Sequence, residues 1–177
     1  MDPSPESYCS PKTTSTPEVD VLVREAHPDD AELIAELTRI SWAGRVRSDS
    51  SGHHEGVDRV LHDLRLGGGF ILIVSNLAVG SVRWLPDDYE PDVWDIIRMG
   101  VLPSHRGLGL SQHLLEAVIH HALLADIKEL RLTVHAQQSR LVDLYSAFGF
   151  ELAPELETEH QHSDKNSSVV MRKALGR

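Results

Sequence analysis

After residue 20, the pattern of hydrophobic and polar positions changes its period several times, which predicts an alternation of strands and helices. The stretch VDVLVREA at 19–26 alternates and is β-branched, as expected of a strand. The next stretch, HPDDAELIAELTRIS at 27–41, predicts a helix with Pro28 in its first turn. A second helix ends at the glycines of LGGG and is indicated by four apolar residues spaced i, i+3, i+4 and i+7, namely Val57, Val60, Leu61 and Leu64.

Three strands without intervening helices come next. FILIVSN and LAVGSVRWL form a predicted hairpin that turns at Ser75 and Asn76, and VWDIIRMGV is a third strand. The rest of the chain predicts a helix at 110–123, a strand at 129–136, a helix at 141–148 and two final extended segments, FGFELA and SSVVMRKAL. The order β-α-α-β-β-β-α-β-α-β-β predicts an α/β protein of the α+β type, in which about four helices flank a central mixed sheet of about seven strands.

Composition limits the number of domains and the cell compartment. The chain of 177 residues is 41% hydrophobic and 25% charged, which suits one folded domain, predicted at 20–177. Residues 1–19 are rich in Pro, Ser and Thr and are predicted to be a disordered tail. The tail lacks the pattern of a signal peptide, and no apolar run reaches the ~18 residues of a membrane span. With Cys9 as its single cysteine, the protein is expected to be cytoplasmic and free of disulfides.

The net charge and the histidines bear on the partners that the protein can bind. A formal charge of −10 disfavours nucleic acid and anionic membranes, which both bind clustered Lys and Arg. The eleven histidines raise the hypothesis of a metal site. However, neighbours such as His120 and His121 diverge by about 100° on a helix, and the chain has neither an HExxH motif nor a pair of cysteines. We therefore predict no nucleic acid, no membrane and no metal.

The stretch VLPSHRGLGLSQHLLEAV at 101–118 combines a strand end, a glycine-rich turn and the start of a helix. Successive main-chain N–H groups at a helix N-terminus, beside the positive charge of Arg106, make an anion site that suits phosphate. Two common nucleotide loops are excluded, because the chain has no GxxxxGK[ST] and because Gly107-Leu108-Gly109 lacks the third glycine of the dinucleotide motif. The stretch predicts a phosphate-binding loop of another kind.

The segment Arg106-Gly107-Leu108-Gly109-Leu110-Ser111 resembles the [QR]-x-x-G-x-[GA] motif of the GNAT N-acetyltransferase superfamily. Ser111 departs from the last motif position, where the family has Gly or Ala, but serine is small and keeps its N–H. The preceding DIIRMGVLPSHRGLG is similar to the family's fourth strand and phosphate loop, and LVDLYSAFGF is similar to its late helix with a Tyr…GF signature. Together with the element order, the resemblance covers about residues 20–175.

The resemblance implies that acetyl-coenzyme A (acetyl-CoA) binds along the fourth strand and the glycine-rich loop. Its pyrophosphate would lie on the amides of residues 106–111, and its pantetheine arm along the main chain of residues 99–101. The implied coenzyme-binding residues are Met99, Gly100, Val101, Arg106, Gly107, Leu108, Gly109, Leu110, Ser111 and Gln138. Gln138 stands where a family asparagine often contacts the pantetheine or caps the helix, and these two roles remain open alternatives.

The resemblance also implies a direct attack of an amine on the thioester, which requires a proton acceptor for the amine and a proton donor for the departing thiolate. Asp95 stands where many members of the family carry an acidic residue beside the acceptor, although an acid at a strand start is often only solvated and a water can serve as base. Tyr145 matches the tyrosine that protonates the thiolate, although its helix face also suits a core residue. A main-chain N–H of the same strand would stabilise the oxyanion.

The acceptor follows least directly from the residues. The acidic stretches PDDYEPDVWD at 86–95 and ELETEHQHSD at 155–164 favour a cationic small molecule such as a polyamine or an aminoglycoside, but solvated loops have the same composition. Trp84 and Trp94 either line the acceptor pocket or belong to the core. The predicted function is N-acetylation of a small-molecule amine, with a homodimer as an option. The alternatives are a peptide or protein amine as acceptor, a non-catalytic acyl-CoA-binding domain, and a purely structural interaction domain.

Overall fold

The computed structural model describes residues 20–43, 54–135, 138–156 and 168–176. The predicted tail and Cys9 lie outside these ranges. The strands are β1 (Val21–Glu25), β2 (Gly68–Val74), β3 (Leu77–Pro86), β4 (Val93–Val101), β5 (Glu129–His135), β6 (Glu151–Leu152) and β7 (Ser168–Ala174). The helices are α1 (Ala31–Trp42), α2 (Val57–Leu66), α3 (Leu110–Leu124) and α4 (Ser139–Ala147). None of the helices in the described ranges is long and apolar enough to cross a membrane.

The strands form one mixed sheet in the order β1-β2-β3-β4-β5-β7-β6. Neighbouring strands are antiparallel except β4 and β5, which run parallel. The hairpin of β2 and β3 turns at Ser75 and Asn76, whose φ angles of 48° and 66° are those of a two-residue turn with both central residues left-handed. The predicted mixed sheet of seven strands, its four helices and its hairpin are thereby confirmed.

Helices cover both faces of the sheet. α3 packs on one face, where Leu114 and Val118 are fully buried in the larger core. α1 and α2 cover the other face, where Ile34 and Val60 meet Ile71 in a smaller core. The helical period of the apolar residues explains this arrangement, because it gives each helix one apolar side that can be buried against the sheet.

The sheet opens between β4 and β5. The two strands pair over four residues only, up to Ile96 and Leu132. Beyond these residues β4 stays paired with β3 as far as Val101, and β5 stays paired with β7 as far as His135. Among the described residues, the edges of β4 and β5 that face each other in this part have no partner strand. The result is a cleft in the middle of the sheet.

Trp84 and Trp94 belong to the core and do not line the cleft. The rings of Trp84 and Trp94 stack with their centroids 5.4 Å apart, and Trp84 is only 2% exposed. Phe70 of β2 and His121 of α3 complete the aromatic cluster, each with its ring centroid about 5 Å from that of Trp84. Of the two interpretations of these tryptophans, burial is therefore the correct one.

Candidate active site

A cavity of about 520 Å³ occupies the cleft between β4 and β5. The two separated strands, the first turns of α3 and α4 and the last turn of α1 bound it. Its lining brings together nearly all the residues that the sequence analysis assigned to catalysis or coenzyme binding: Asp95, Met99, Gly100, Val101, Arg106, Gly107, Gly109, Leu110, Ser111, Gln138 and Tyr145. Leu108 is the exception, because it is not part of the lining and is 69% exposed. A role for Leu108 therefore rests on its main-chain N–H alone.

The glycine-rich loop presents a row of main-chain N–H groups at the start of α3. Within the described residues, the N–H groups of 107–111 have no hydrogen-bond acceptor, and the first bond of the turn runs from Gln112 N to Gly109 O over 3.1 Å. Gly107 and Gly109 have φ angles of 78° and 71°, which lie in the left-handed region that favours glycine. Such consecutive N–H groups at a helix N-terminus can converge on one anion.

Arg106 attaches this loop to α1. Its Nε donates a hydrogen bond to the main-chain O of Val101 over 3.2 Å, and its Nη2 donates one to the main-chain O of Ser41 in the last turn of α1. A guanidinium at a helix C-terminus is also favoured by the helix dipole. The charge of Arg106 is predicted from the sequence to contribute to a phosphate site. In the structure its hydrogen bonds position the loop, and its charge remains next to the N–H groups.

The wall of the cavity on the β4 side is formed by residues 95–101 and includes one glycine, Gly100. A Cβ atom at Gly100 would lie 2.9 Å from the Cβ of Ser41, so α1 can approach β4 this closely only because residue 100 has no side chain. The peptide groups of Met99, Gly100 and Val101 lie on the edge of β4 that β5 leaves unpaired. An extended ligand with amide groups of its own can bind to such an edge as an additional strand does.

Tyr145 is both a core residue and part of the cavity lining. It is 7% exposed, and its ring packs against Phe150 with the centroids 5.8 Å apart. Burial raises the pKa of Tyr145 to about 12, so its hydroxyl keeps its proton at neutral pH. Within the described ranges, no residue makes a hydrogen bond to this hydroxyl. A buried phenol of this kind can donate a proton to a group inside the cavity.

Asp95 lies on β4 at the same cavity and is half-buried. Its neighbours in the sheet are Leu85 of β3 and Arg131 of β5. Among the described residues of the lining, Asp95 is the only one with a carboxylate. The position suits a proton acceptor, and it differs from that of a freely solvated acid at a strand start.

Gln138 occupies the N-cap position of α4. Its main-chain O accepts a hydrogen bond from Leu141 N over 2.9 Å, but its side chain makes no capping bond. The residue also belongs to the cavity lining. Two roles were left open for Gln138, helix capping and contact with the pantetheine. The structure shows no capping bond by the side chain, which lies at the cavity and can contact a ligand.

Arg131 pairs with two of the five acidic residues in the stretch at 86–95. Its guanidinium is buried and lies 2.6 Å from Glu129, 2.7 Å from Glu90 and 3.6 Å from Asp87. Asp87 also accepts hydrogen bonds from main-chain N–H groups of its own loop. This stretch therefore attracts a cationic acceptor less strongly than its composition suggests.

The second acidic stretch is described only in part. Glu155 forms an ion pair with Arg172 over 3.1 Å. The remaining acidic residues of the stretch, which are Glu157, Glu159 and Asp164, lie outside the described residues. Elsewhere in the described ranges, no three side chains of His, Cys, Asp or Glu come together as a metal site would require.

Several residues of the lining were not expected from the sequence. Ser41 and Trp42 come from the end of α1, and Arg98 comes from β4. No local motif marks them, because they reach the cavity only through the packing of α1 against β4. One signal was available, since a glycine inside a strand, here Gly100, indicates the close approach of another element.

A mixed sheet that opens beside a loop of N–H groups is the architecture expected of the acetyltransferase superfamily that the sequence resembles. A sequence model of the acetyltransferase (GNAT) family matches residues 34–150, which is well over half of the chain. The chain therefore belongs to the GNAT family of acetyltransferases. The predicted family and the predicted class of enzyme are both confirmed.

Solved structures of GNAT proteins have the same fold. A GNAT acetyltransferase of Streptococcus pneumoniae is 24% identical, with a TM-score of 0.67 over 89% of this chain and 100% of that one. The PaiA N-acetyltransferase of Thermoplasma acidophilum, solved in complex with coenzyme A, is 18% identical, with a TM-score of 0.71 over 88% and 99%. YncA of Salmonella typhimurium, solved with its cofactor acetyl-CoA, is 17% identical, with a TM-score of 0.70 over 89% and 95%. A comparison with the curated proteins gives no match.

Proposed function

We propose that the protein transfers the acetyl group of acetyl-CoA to a primary amine of a small, cationic acceptor. One observation carries the proposal: Gly107, Gly109, Leu110 and Ser111, whose N–H groups have no acceptor among the described residues, line the same cavity as the unpaired edge of β4 and Tyr145. Every helix leaves its first N–H groups without an intrahelical acceptor, but here they lie at a cavity that also contains a buried phenol. An enzyme that binds a phosphate-bearing thioester and protonates its leaving group needs both.

The cavity residues fit the coenzyme along its length. The N–H groups of residues 107–111 suit the pyrophosphate, which needs several donors and close access to the main chain. The edge of β4 at 99–101 suits the pantetheine arm, which carries amide groups that can bind to a strand. Gln138 offers a side-chain amide from the opposite wall. The coenzyme A bound to PaiA and the acetyl-CoA bound to YncA support this assignment by analogy.

Acetyl-CoA would supply an acetyl group activated as a thioester, which an amine can attack directly. An alkylamine with a pKa near ~10 is protonated at neutral pH, so a base must remove its proton. Asp95 lines the cavity with a carboxylate and takes this proton, directly or through a water molecule. Tyr145 keeps its own proton at neutral pH and donates it to the departing sulfur.

The volume of the cavity and the charges at it favour a small molecule as the acceptor in this proposal. Its volume of about 520 Å³ must hold the coenzyme arm together with the acceptor amine. Arg131 pairs with two of the five acidic residues of the nearby stretch, so the stretch keeps a negative charge that favours a cationic acceptor. A small alkylamine is itself cationic at neutral pH and needs only the single carboxylate of Asp95.

The test is the release of coenzyme A in a panel of acceptors that contains polyamines, aminoglycosides, other small amines and peptides with a free N-terminus or lysine. We expect release with at least one small amine above the rate without acceptor. The variant Asp95→Asn has the same size but no base, and it should lower this rate by about 10²-fold while binding of acetyl-CoA is kept.

The other outcomes assign the alternatives. Release with peptides only would identify a peptide or protein amine as acceptor. A melting temperature raised by acetyl-CoA, without release for any amine, would identify a non-catalytic coenzyme-binding domain. No effect of acetyl-CoA on the melting temperature at saturating concentration would leave a structural domain.

A further inference from the structure

Arg98 has an unusual backbone conformation in the middle of β4. Its φ angle is 54°, in the left-handed region, which is costly for a residue with a side chain. The other non-glycine residues with positive φ in the described ranges are Ser75, Asn76 and Asp126, and all three lie in turns. The conformation of Arg98 inside a strand therefore needs an explanation from its surroundings.

The conformation belongs to a β-bulge that sets the course of β4 along the cavity. Arg83 of β3 pairs with Ile97, whereas Ser81 pairs with Gly100, so β4 has one residue more than β3 between these pairs. The extra residue falls at Arg98 and Met99, directly before the main chain that forms the cavity wall. A bulge re-aims the residues that follow it. The shape of the wall at 99–101 depends on it.

The side chain of Arg98 is held by the buried carboxylate of Glu55, which lies 43 positions earlier in the chain. Its Nε donates a hydrogen bond of 2.7 Å to Glu55 Oε2, and its guanidinium lies over the ring of Trp42 at 5.1 Å. The Glu55 side chain is 1% exposed, and the same Oε2 lies 3.1 Å from Nη2 of the equally buried Arg83. Arg39 donates a further hydrogen bond to the main-chain O of Glu55 over 2.7 Å.

The rest of the network fixes this carboxylate. Arg83 Nη1 donates to Asp63 over 2.7 Å, and Asp63 also accepts from Arg59 Nε over 3.0 Å. Removing a partner from a buried ion pair leaves an uncompensated charge, so Glu55 cannot leave Arg83 at low cost. Glu55 is thereby a fixed anchor to which the Arg98 side chain is attached.

We propose that Glu55 is a positioning residue for the coenzyme site, because its ion pair with Arg98 holds the bulge of β4 in the left-handed conformation. The inference rests on the proposed function, since it concerns how the site for acetyl-CoA is shaped. The backbone of residue 98 has two states, and the ion pair favours the state that directs residues 99–101 to the cavity. Without the pair, a smaller fraction of the protein is competent to bind, and the apparent affinity falls by that fraction.

The test compares glycine and alanine at position 98, with the dissociation constant of acetyl-CoA measured by calorimetry. Both substitutions remove the ion pair, but glycine adopts the left-handed conformation without steric cost and alanine does not. We expect Arg98→Ala to weaken binding by about tenfold and Arg98→Gly to stay within about threefold of the wild type. Arg59→Ala removes a more distant charge of the same network and should leave the affinity unchanged.

A second pair of variants tests Glu55 itself. Glu55→Gln should weaken binding of acetyl-CoA about as much as Arg98→Ala does, and the double variant Glu55→Gln with Arg98→Gly should restore it. Melting temperatures report whether each variant is folded. If Arg98→Ala does not fold, the test is whether Arg98→Gly restores the affinity for acetyl-CoA to the Glu55→Gln variant. Arg98→Gly alone must also bind acetyl-CoA.

Two results would overturn the inference while the proposed function stands. Equal losses for glycine and alanine at position 98 would mean that the Arg98 side chain contacts the ligand itself. Unchanged affinity in Arg98→Ala and Glu55→Gln would mean that the network contributes only to stability. Failure of the wild-type protein to bind acetyl-CoA is a different result, because it would overturn the proposed function and the inference together.

Discussion

Arg131 lies beside Asp95 where the parallel strands β4 and β5 pair, yet its hydrogen bonds go to Glu90 and Glu129 instead. The arginine thus fastens the loop before β4 to β5 and cancels negative charge at the edge of the cleft. Asp95 is the one carboxylate among the described residues of the lining.

The stability experiment replaces Arg131. Arg131→Met keeps the length of the side chain but leaves Asp87, which is 7% exposed, without its cation. We expect the free energy of unfolding at neutral pH to fall by about 3 kcal/mol, as for a broken buried ion pair. Arg172→Met is the matched control, because its pair with Glu155 is exposed and should cost less than about 1 kcal/mol. Equal losses in urea denaturation would contradict the assignment.

The loop of free N–H groups is tested by Gly109→Val. Among the described residues other than its chain neighbours, no atom lies closer than 3.9 Å to the position of a Cβ at Gly109, but the φ angle of 71° does not suit valine. We expect the loop to change its conformation and the dissociation constant of acetyl-CoA to rise by at least about tenfold. Gly56→Ala is the control, since residue 56 has a φ of −93° and no described residue beyond its chain neighbours lies within 4 Å of the position of a Cβ there. Unchanged affinity in a folded Gly109→Val protein would exclude the loop as the phosphate site.

The proton donor is tested by Tyr145→Phe, which removes the hydroxyl and keeps the ring against Phe150. If Tyr145 protonates the thiolate, the turnover number should fall by ~10²–10⁴-fold while the affinity for acetyl-CoA stays the same. Tyr89→Phe is the control, because Tyr89 is 92% exposed and is not part of the cavity lining. A Tyr145→Phe enzyme with wild-type turnover on an identified acceptor would limit Tyr145 to a role in the core.

The pH dependence of stability gives a separate test of the burial of Tyr145. Burial raises the pKa of Tyr145 from 10.0 to about 12, so the folded protein holds this proton more tightly than the unfolded chain does. The protonated Tyr145 therefore makes its full contribution to the free energy of unfolding below pH 10. This contribution is lost as the pH rises from 10 to 12, by about 3 kcal/mol in total. Denaturation curves of the wild type should therefore shift more than those of Tyr145→Phe over this interval. Parallel shifts would mean that the phenol is accessible to solvent.

The parts of the fold that follow from local pattern could be predicted from the sequence. The helical period of the segment that forms α3 and the two glycines before it, Gly107 and Gly109, were sufficient to find that helix and its loop. The position of Tyr145 at the cavity also followed from its place in the motif. These features depend on neighbours within a few residues along the chain, which a period or a motif can describe.

The parts that depend on distant contacts could not be predicted. Glu55 and Arg98 are 43 positions apart, and Glu90 and Arg131 are 41 positions apart. Each pair forms only after the sheet has assembled, so its members look like ordinary charged surface residues in the sequence. For the same reason the pairing of Arg131 with the acidic loop could not be found from the sequence, since the arginine comes from another strand.

The pairing of β4 with β5 over only four residues also divides the sheet into two blocks, one of β1 to β4 and one of β5 to β7. Apart from the two-residue pairing of β6 with β7, this seam is the shortest strand pairing in the described ranges. A molecule that fills the cleft and bonds to both edges acts as a brace across the seam. In the proposed function, acetyl-CoA would therefore add a connection between the two blocks, and release of coenzyme A would remove it.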